Sequence, residues 1–268
     1  MIAKYYFRAL ISNKHLWFWG VFFSFIWAVL GAFIIDRSSL TATDAMGVTA
    51  AWFSIIVLIS FSSIAVTIMM SLGWSANALV FSFKFSKLSR TRYLLDLIIA
   101  WISIAIFLAV FSILFTGAMF YLASGVNVFP GYTSFLETFL LDILVGTFFM
   151  LLAILLVSLV LAYSNVKSVT FLSFIPMLLV FVLSYQMIFG SVPELMVYIS
   201  PWNSMPSLLF SLYTNTQPVN SFVSTSPITL NWVTLLISII LWLLVIFVLD
   251  VYIIKKIKPQ DVEAMRQL

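Results

Sequence analysis

The sequence has 268 residues, of which 63% are hydrophobic and only 8% are charged, and it contains 27 Phe and 9 Trp. Soluble domains are about half apolar, so this composition excludes a soluble globular protein and leaves no separate soluble domain to place. The absence of Cys excludes disulfides, thiolate metal sites and a cysteine nucleophile. The net charge of +4 points to an anionic partner whose nature depends on the side of the membrane that the cations occupy.

The first segment, MIAKYYFRALISNKHLW, predicts an amphipathic helix over residues 1–15 that lies along the inner membrane surface. Its apolar face is expected to enter the acyl boundary, with its cations against anionic headgroups. The apolar face holds Ile2, Ala3, Tyr6, Phe7 and Leu10, and the other side holds Lys4, Arg8 and His15. A longer first span is the alternative, and burying two of these cations would make it costly.

Six later stretches are apolar over about the 20 residues that a helix needs to cross a bilayer. They are residues 16–35, 47–70, 93–123, 135–162, 169–189 and 230–254. The predicted fold class is therefore an all-α integral membrane protein with six transmembrane helices. The third stretch is too long for a simple crossing, so we expect a tilt, a break near Gly117 or an end that projects into water.

The positions of the cations predict the orientation. Twelve of the 13 Lys and Arg residues lie before span 1, between spans 2 and 3, between spans 4 and 5, or after span 6. Only Arg37 lies on the other side. By the positive-inside rule both termini, including the tail 255–268, are cytoplasmic. We expect a multi-pass protein of the plasma membrane in contact with membrane lipid, and no nucleic-acid partner.

The link between spans 2 and 3 concentrates charge and aromatic residues. In FSFKFSKLSRTRYLLD, residues 81–96, four cations stand beside three phenylalanines. A helix over 81–92 would carry an apolar ridge on one side and cations on the adjacent arc. The ridge is Phe81, Phe85 and Leu88, and the cations are Lys84, Lys87 and Arg90. Such a helix can anchor to anionic lipid or bind a protein outside the membrane, and both interpretations stay open.

Four carboxylates lie within or near the predicted spans. Glu137 and Asp142 are in the outer part of span 4, where they lie in the interface or, alternatively, form the ion site of a secondary transporter. Asp96 and Asp250 lie about one turn from the cytoplasmic ends of their spans and are expected to pair with neighbouring cations.

Catalytic and metal-binding motifs are missing from the sequence. His15 is the only histidine, and there is no H-E-x-x-H sequence and no G-x-S-x-G elbow. The carboxylates do not form a pair positioned like an acid and a base. We therefore predict that the chain is not an enzyme and binds no metal or cofactor itself.

The outer segment, residues 190–229, is longer than the roughly 12–15 residues at which structureless loops become uncommon. It contains five prolines, and its first half is too apolar for a solvated loop. We expect short re-entrant helices that dip into the outer leaflet and pack on the protein before the last span.

The order of these parts resembles, over the whole chain, the permease subunits of ABC-2 type exporters. FSFKFSKLSRTRYLLD is similar to the segment before their third span, and YISPWNSMPSLL at 198–209 is similar to the Pro-containing outer segment before their last span. The very short link YSNVKS, residues 163–168, is similar to their second cytoplasmic link.

The resemblance implies a single permease domain whose first cytoplasmic link is a coupling helix that docks into a separate ABC ATPase. The principal docking residues would be Phe85, Lys87, Leu88, Ser89 and Arg90. The second link would make a smaller contact through Asn165, Val166 and Lys167. The outer segment would close the exit path, with a gate formed by Pro201, Trp202 and Pro206.

The resemblance also implies a function. Two permease chains, identical or related, would export a hydrophobic or amphipathic substrate by alternating access. The sequence lacks G-x-x-x-x-G-K-[ST], so ATP and Mg²⁺ would bind to the partner ATPase. Two alternatives are an ion-coupled secondary transporter that uses Glu137 or Asp142, and a membrane scaffold that transports nothing.

Overall fold

The computed structural model describes residues 3–34, 41–85, 89–224 and 226–260. Within these ranges, six helical segments are long and apolar enough to cross a membrane. They are span 1 (Lys14–Phe33), span 2 (Ala42–Trp74), span 3 (Arg90–Ser124), span 4 (Tyr132–Tyr163), span 5 (Ser168–Ile188) and span 6 (Trp232–Lys256). The six predicted spans are confirmed, and the chain is a multi-pass membrane protein.

We number the α-helices in chain order. They are α1 (Ala3–Ile11), α2 (Lys14–Trp17), α3 (Phe23–Phe33), α4 (Ala42–Trp74), α5 (Ala76–Phe85), α6 (Arg90–Ser124), α7 (Tyr132–Tyr163), α8 (Ser168–Leu172), α9 (Ile175–Leu179), α10 (Glu194–Ile199), α11 (Pro201–Thr214) and α12 (Trp232–Ile253). Every described Lys and Arg lies at the end of the bundle that carries α1 and α5, which we call the basic end. We call the other end of the bundle the opposite end.

Polar residues at the helix ends define where the long spans begin and stop. The Thr41 and Ser89 side chains accept hydrogen bonds from the first turns of α4 and α6. Asn231 accepts from the amides of Val233 and Thr234 at the start of α12. Gly125 ends α6 with a positive φ of 70°, a conformation that glycine adopts without strain.

Helices α4 and α7 form the centre of the bundle. Both are buried on several faces, and α11 packs against both of them. Gly146 of α7 allows a close approach, because a Cβ atom there would lie 2.7 Å from the ring of Phe61 on α4. In contrast, α12 buries only a stripe at helical spacing and leaves its other sides to lipid.

Span 3 is one continuous helix, which excludes the break near Gly117 and leaves the other two alternatives, a tilt or a projecting end. α6 runs unbroken for 35 residues. Gly117 has a packing role instead, since a Cβ atom at this position would lie 2.6 Å from the ring of Phe129 in the following loop.

Spans 1 and 5 are irregular. Span 1 contains a π-helical segment, Phe18–Phe22, in which the Gly20 carbonyl accepts from the Ser24 and Ser60 hydroxyls at 2.7 and 2.9 Å. In span 5, α9 is followed by a π-helical segment, Val180–Ser184, and then by a 3₁₀ turn, Tyr185–Ile188. Such segments change the hydrogen-bond register and leave carbonyls for partners outside the helix.

Helix α1 packs on protein rather than on lipid alone. The Tyr6 ring meets the Tyr93 ring edge-on, with centroids 5.4 Å apart, and Phe7 and Leu10 also contact the core. These three residues of α1 are therefore half-buried against protein, and the expectation that this face enters the acyl boundary stays a prediction. The first turns of α6 extend alongside α1 and cover its apolar face.

Candidate functional site

Helix α5 exposes two phenylalanines at the basic end. Phe81 is 61% exposed and Phe85 is 72% exposed, and their rings stack with centroids 5.7 Å apart. The Lys84 ammonium lies 5.4 Å from the centre of the Phe85 ring, within the range of a cation–π contact. Phe83 points the other way and meets Tyr93 edge-on at 5.3 Å. One face of α5 is thus held against the bundle, and the other is uncovered.

The predicted continuous helix over 81–92 is wrong. α5 ends at Phe85, and Ser89 has extended backbone angles while its hydroxyl accepts from the Arg92 amide at 3.2 Å. Serine favours this position because its side chain satisfies a free amide of the first helical turn. In the described part of the link, α5 and α6 are therefore separate helices, and Ser89 is extended immediately before α6.

Three of the five principal docking residues are exposed at this point. Phe85, Ser89 and Arg90 are exposed, and the Arg90 guanidinium lies 5.8 Å from the centre of the Phe83 ring. The predicted docking residues Lys87 and Leu88 lie outside the described residues. We define the link patch as Phe81, Lys84, Phe85, Ser89 and Arg90.

The second link, residues 163–168, lies at the same end. Asn165 and Lys167 are exposed, and the Asn165 side chain accepts from the Lys167 amide at 3.1 Å. Val166 is fully buried, so it is not available to a partner, contrary to the prediction. It is buried because the turn folds its side chain into the core cluster.

Gln260 connects both links, and sequence reasoning missed it. Its backbone amide donates to the Asn77 side chain at 2.8 Å, and its backbone carbonyl accepts from the same side chain at 2.9 Å. Its side chain accepts from the Val166 amide at 3.2 Å and donates to the Leu161 carbonyl at 3.0 Å. The start of α5, the second link and the end of α7 are joined through one residue. We call this arrangement the Gln260 clasp.

Proline within α11 creates a second set of long-range contacts. Pro206 lacks an amide hydrogen, so the Trp202 carbonyl four residues earlier has no helical donor. The Ser184 hydroxyl of span 5 donates to that carbonyl. The Asn203 side chain donates in turn to the Leu183 carbonyl at 2.6 Å. These bonds tie α11 to the irregular end of span 5.

The three residues predicted as an outer gate lie in the interior. Pro201 and Pro206 are buried, and Trp202 is half-buried. Pro201 occupies the first turn of α11, where a missing amide hydrogen costs nothing. The Trp202 ring meets Phe148, near the middle of α7, edge-on at 5.8 Å. Of the three, Trp202 therefore lies where α11 contacts α7.

Asp142 lies inside the protein rather than at its surface. It is completely buried, and one carboxylate oxygen accepts from the Ser112 hydroxyl at 2.7 Å. Its other oxygen has no hydrogen-bond partner among the described residues, and neither have the buried hydroxyls of Thr116 and Thr138, one turn away on each helix. The structure thus places an incompletely satisfied polar cluster between α6 and α7. Glu137, in contrast, is exposed on a different side of α7.

Asp250 and Asp96 do not form the expected ion pairs. Asp250 is buried, and neither of its oxygens has a hydrogen-bond partner within the part of the chain that the structure describes. One oxygen of Asp96 is likewise without a hydrogen-bond partner in the described ranges. Burial, and secondly the Asp96 carboxylate, raise the pKa of Tyr6 above its ordinary value. Both carboxylates therefore face the bundle rather than the cations at its surface.

Metal-ligating side chains are scattered. Among residues 3–34, 41–85, 89–224 and 226–260, no three His, Cys, Asp or Glu side chains lie close enough together to hold a metal ion.

Comparison with protein-family models gives no match, and comparison with curated proteins gives no match either. The proposals below therefore rest on the geometry of the link patch, the Gln260 clasp and the buried carboxylates, together with the resemblance seen in the sequence.

Proposed function

We propose that this protein is the transmembrane subunit of an exporter that is driven by a separate cytoplasmic ATPase, as in ABC-2 type transporters. The basic end would face the cytoplasm of a plasma membrane, following the positive-inside rule. The observation that supports this proposal best is the Gln260 clasp, because it joins the two predicted ATPase-binding links at one end of the bundle.

The chemistry of the link patch supports a protein partner. Two stacked phenylalanines lie exposed beside cations, outside the spans. Exposed aromatic clusters with a charged rim are typical of interaction sites. A lipid anchor would use the same residues, so an experiment has to separate the two roles.

The connections of α5 support a role in transmitting motion. α5 begins two residues after α4 ends, and α6 begins five residues after Phe85. A displacement of the link patch would therefore act directly on spans 2 and 3. The Gln260 clasp would carry the same displacement to the end of α7 and to span 6. ATP and Mg²⁺ would be bound by the ATPase, and a second permease chain would complete the export path.

The outer half of the exporter would be closed by α10 and α11, acting as re-entrant helices. The hydrogen bonds between α11 and the irregular end of span 5 support this idea. A shift of span 5 would break them and move Trp202 away from Phe148. Pro201, Trp202 and Pro206 would then form the gate that the resemblance implies.

The test is affinity purification of the tagged protein from mild detergent, with identification of co-purifying chains and an ATPase assay. We expect a soluble ATPase to co-purify with the native protein. With the double variant Phe85→Asp and Arg90→Glu, its retention should fall by at least about tenfold, equivalent to about 1.4 kcal/mol. Glu in a first helical turn is favourable, so α6 should remain folded.

The matched control is the double variant Tyr5→Asp and Lys255→Glu. It makes similar changes at exposed residues of the basic end that lie outside the link patch. Retention of the ATPase by this control excludes a general effect of surface charge. If the native protein purifies alone, without ATPase activity, and the link-patch variant only loosens membrane association, the patch is a lipid anchor and the proposal fails.

The second candidate function is an ion-coupled secondary transporter, which the burial of Asp142 favours. A carboxylate in the interior of a membrane bundle, with one oxygen unpartnered, is a common feature of ion pathways. This candidate takes precedence if no ATPase co-purifies with the native protein. The remaining alternative, a scaffold, predicts a bound partner without transport of any substrate.

A further inference from the structure

A cavity of about 700 Å³ opens at the opposite end, between α7, α11 and α12. Its volume lies within the range of about 300–1,000 Å³ that is usual for small-molecule sites. The apolar part of its lining is mainly leucine: Leu140, Leu141, Leu144, Leu208, Leu212 and Leu236. Leu140 and Trp232, which also line it, are 64% and 51% exposed, so the cavity opens sideways to the bilayer. An apolar chain can therefore enter it from the membrane.

Three polar side chains with free hydrogen-bonding capacity line the same cavity. They are Glu137, Asn215 and Gln217. All three are exposed, and none makes a side-chain hydrogen bond or an ion pair with another described residue. Asn215 is held at this position because it ends α11 with a positive φ of 55°, which asparagine tolerates better than most residues. The cavity thus combines an apolar interior with one carboxylate and two amides.

The described charged residues around the cavity are all acidic. Among the described residues Glu137 is the only charged one that lines it, and those nearest the opposite end are Asp44, Asp142 and Glu194. All described Lys and Arg lie at the basic end. Within the described residues, a cationic ligand at this cavity would therefore meet no repulsive charge, and a phosphate or sulfate would find no cation to bind.

We propose that this cavity binds a long-chain primary ammonium amphiphile, with its chain among the leucines and its ammonium at Glu137, Asn215 and Gln217. An ammonium has three donors and no acceptor, and a carboxylate with two amide oxygens supplies three acceptors. The fit to a zwitterionic phospholipid is poorer, because its phosphate would be unpaired. The further step, that such amphiphiles are the exported substrate, rests on the proposed function, but the binding itself does not.

Trp232 offers a direct readout of binding. The purified protein in phosphatidylcholine nanodiscs is titrated with bromododecylammonium, whose bromine quenches nearby tryptophan fluorescence. Subtracting the signal of Trp232→Phe isolates this tryptophan from the other eight of the 9 Trp. We expect saturable quenching of Trp232 by the ammonium probe. Glu137→Gln should weaken its apparent affinity by about twofold to fivefold, as for removal of one partner of an exposed ion pair.

The matched control is Glu194→Gln, another exposed carboxylate of the opposite end that does not line the cavity. It should leave the affinity unchanged. The proposal is overturned if bromododecyl sulfate or bromododecanol binds as tightly, if Glu137→Gln has no effect, or if quenching does not saturate. Tighter binding of brominated phosphatidylethanolamine would identify a lipid headgroup site and would also overturn it. The measurement needs no ATPase, so its failure is independent of the co-purification test.

Discussion

At the scale of single residues, the bond between Ser112 and Asp142 gives a sharp prediction. Ser112→Ala removes the only hydrogen bond that the described residues make to this buried carboxylate. We expect a loss of about 1–3 kcal/mol, the cost of leaving a buried acceptor without its donor. In a chain of this size each kcal/mol corresponds to about 2–4 °C in the midpoint of thermal unfolding, which can be measured in detergent.

Two companion variants make the Ser112 experiment specific. Ser103→Ala removes an exposed serine of the same helix that bonds only to the Ile99 carbonyl, and it should leave the midpoint nearly unchanged. Asp142→Asn retains an acceptor for Ser112 and carries no charge, so the amide should be tolerated. Equal effects of Ser112→Ala and Ser103→Ala would show that the buried bond contributes nothing to stability.

The carboxylates also show what residue-level reasoning from the sequence can achieve. Distance from the span end places Glu137 and Asp142 at similar depths, but because they are five positions apart their side chains point to different sides of α7. Which side faces protein depends on the neighbouring helices. The sequence therefore predicts the depth of a carboxylate and not its burial.

At the scale of helices, we predict that Gly146 is required for the contact between α4 and α7. Gly146→Leu forces a side chain into the ring of Phe61, because even a Cβ atom would lie 2.7 Å from it. We expect a loss of about 1–3 kcal/mol or more from overpacking, seen as a lower midpoint of thermal unfolding in detergent. Gly47→Leu on α4 is the control, since a Cβ atom there has no atom within 4 Å. A similar loss for both variants would contradict a packing role.

Helix positions followed from hydropathy, while helix ends and breaks did not. The six spans are predictable because each needs about 20 apolar residues, and the structure confirms them. The break at Ser89 carries a recognisable N-cap residue, but the cationic and aromatic pattern around it is equally compatible with one continuous helix. The irregular end of span 5 has no local signal, since the donors that satisfy its carbonyls come from α11.

At the scale of the whole molecule, hydrogen bonds join segments that are far apart in the sequence. Gln260 bonds to Asn77, 183 positions earlier, and Tyr213 donates to the Val128 carbonyl across 85 positions. The periodicity of the sequence does not predict such pairs, because they depend on the arrangement of all six spans. The pocket at Glu137 has the same origin, since its walls come from three separate helices. Sequence reasoning could therefore reach the architecture but not the clasp or the cavity.

The orientation of the whole molecule can be tested with single cysteines, because the natural chain contains none. Ser164 is exposed at the basic end, and Ser226 is exposed at the opposite end. The variants Ser164→Cys and Ser226→Cys therefore place one cysteine at each end. If cations are retained in the cytoplasm, a membrane-impermeant maleimide should label Ser226→Cys in intact cells and leave Ser164→Cys unlabelled. Both should react after permeabilisation, which shows that each cysteine is accessible. The reverse pattern would place the link patch outside the cell, where it could not meet a cytoplasmic ATPase.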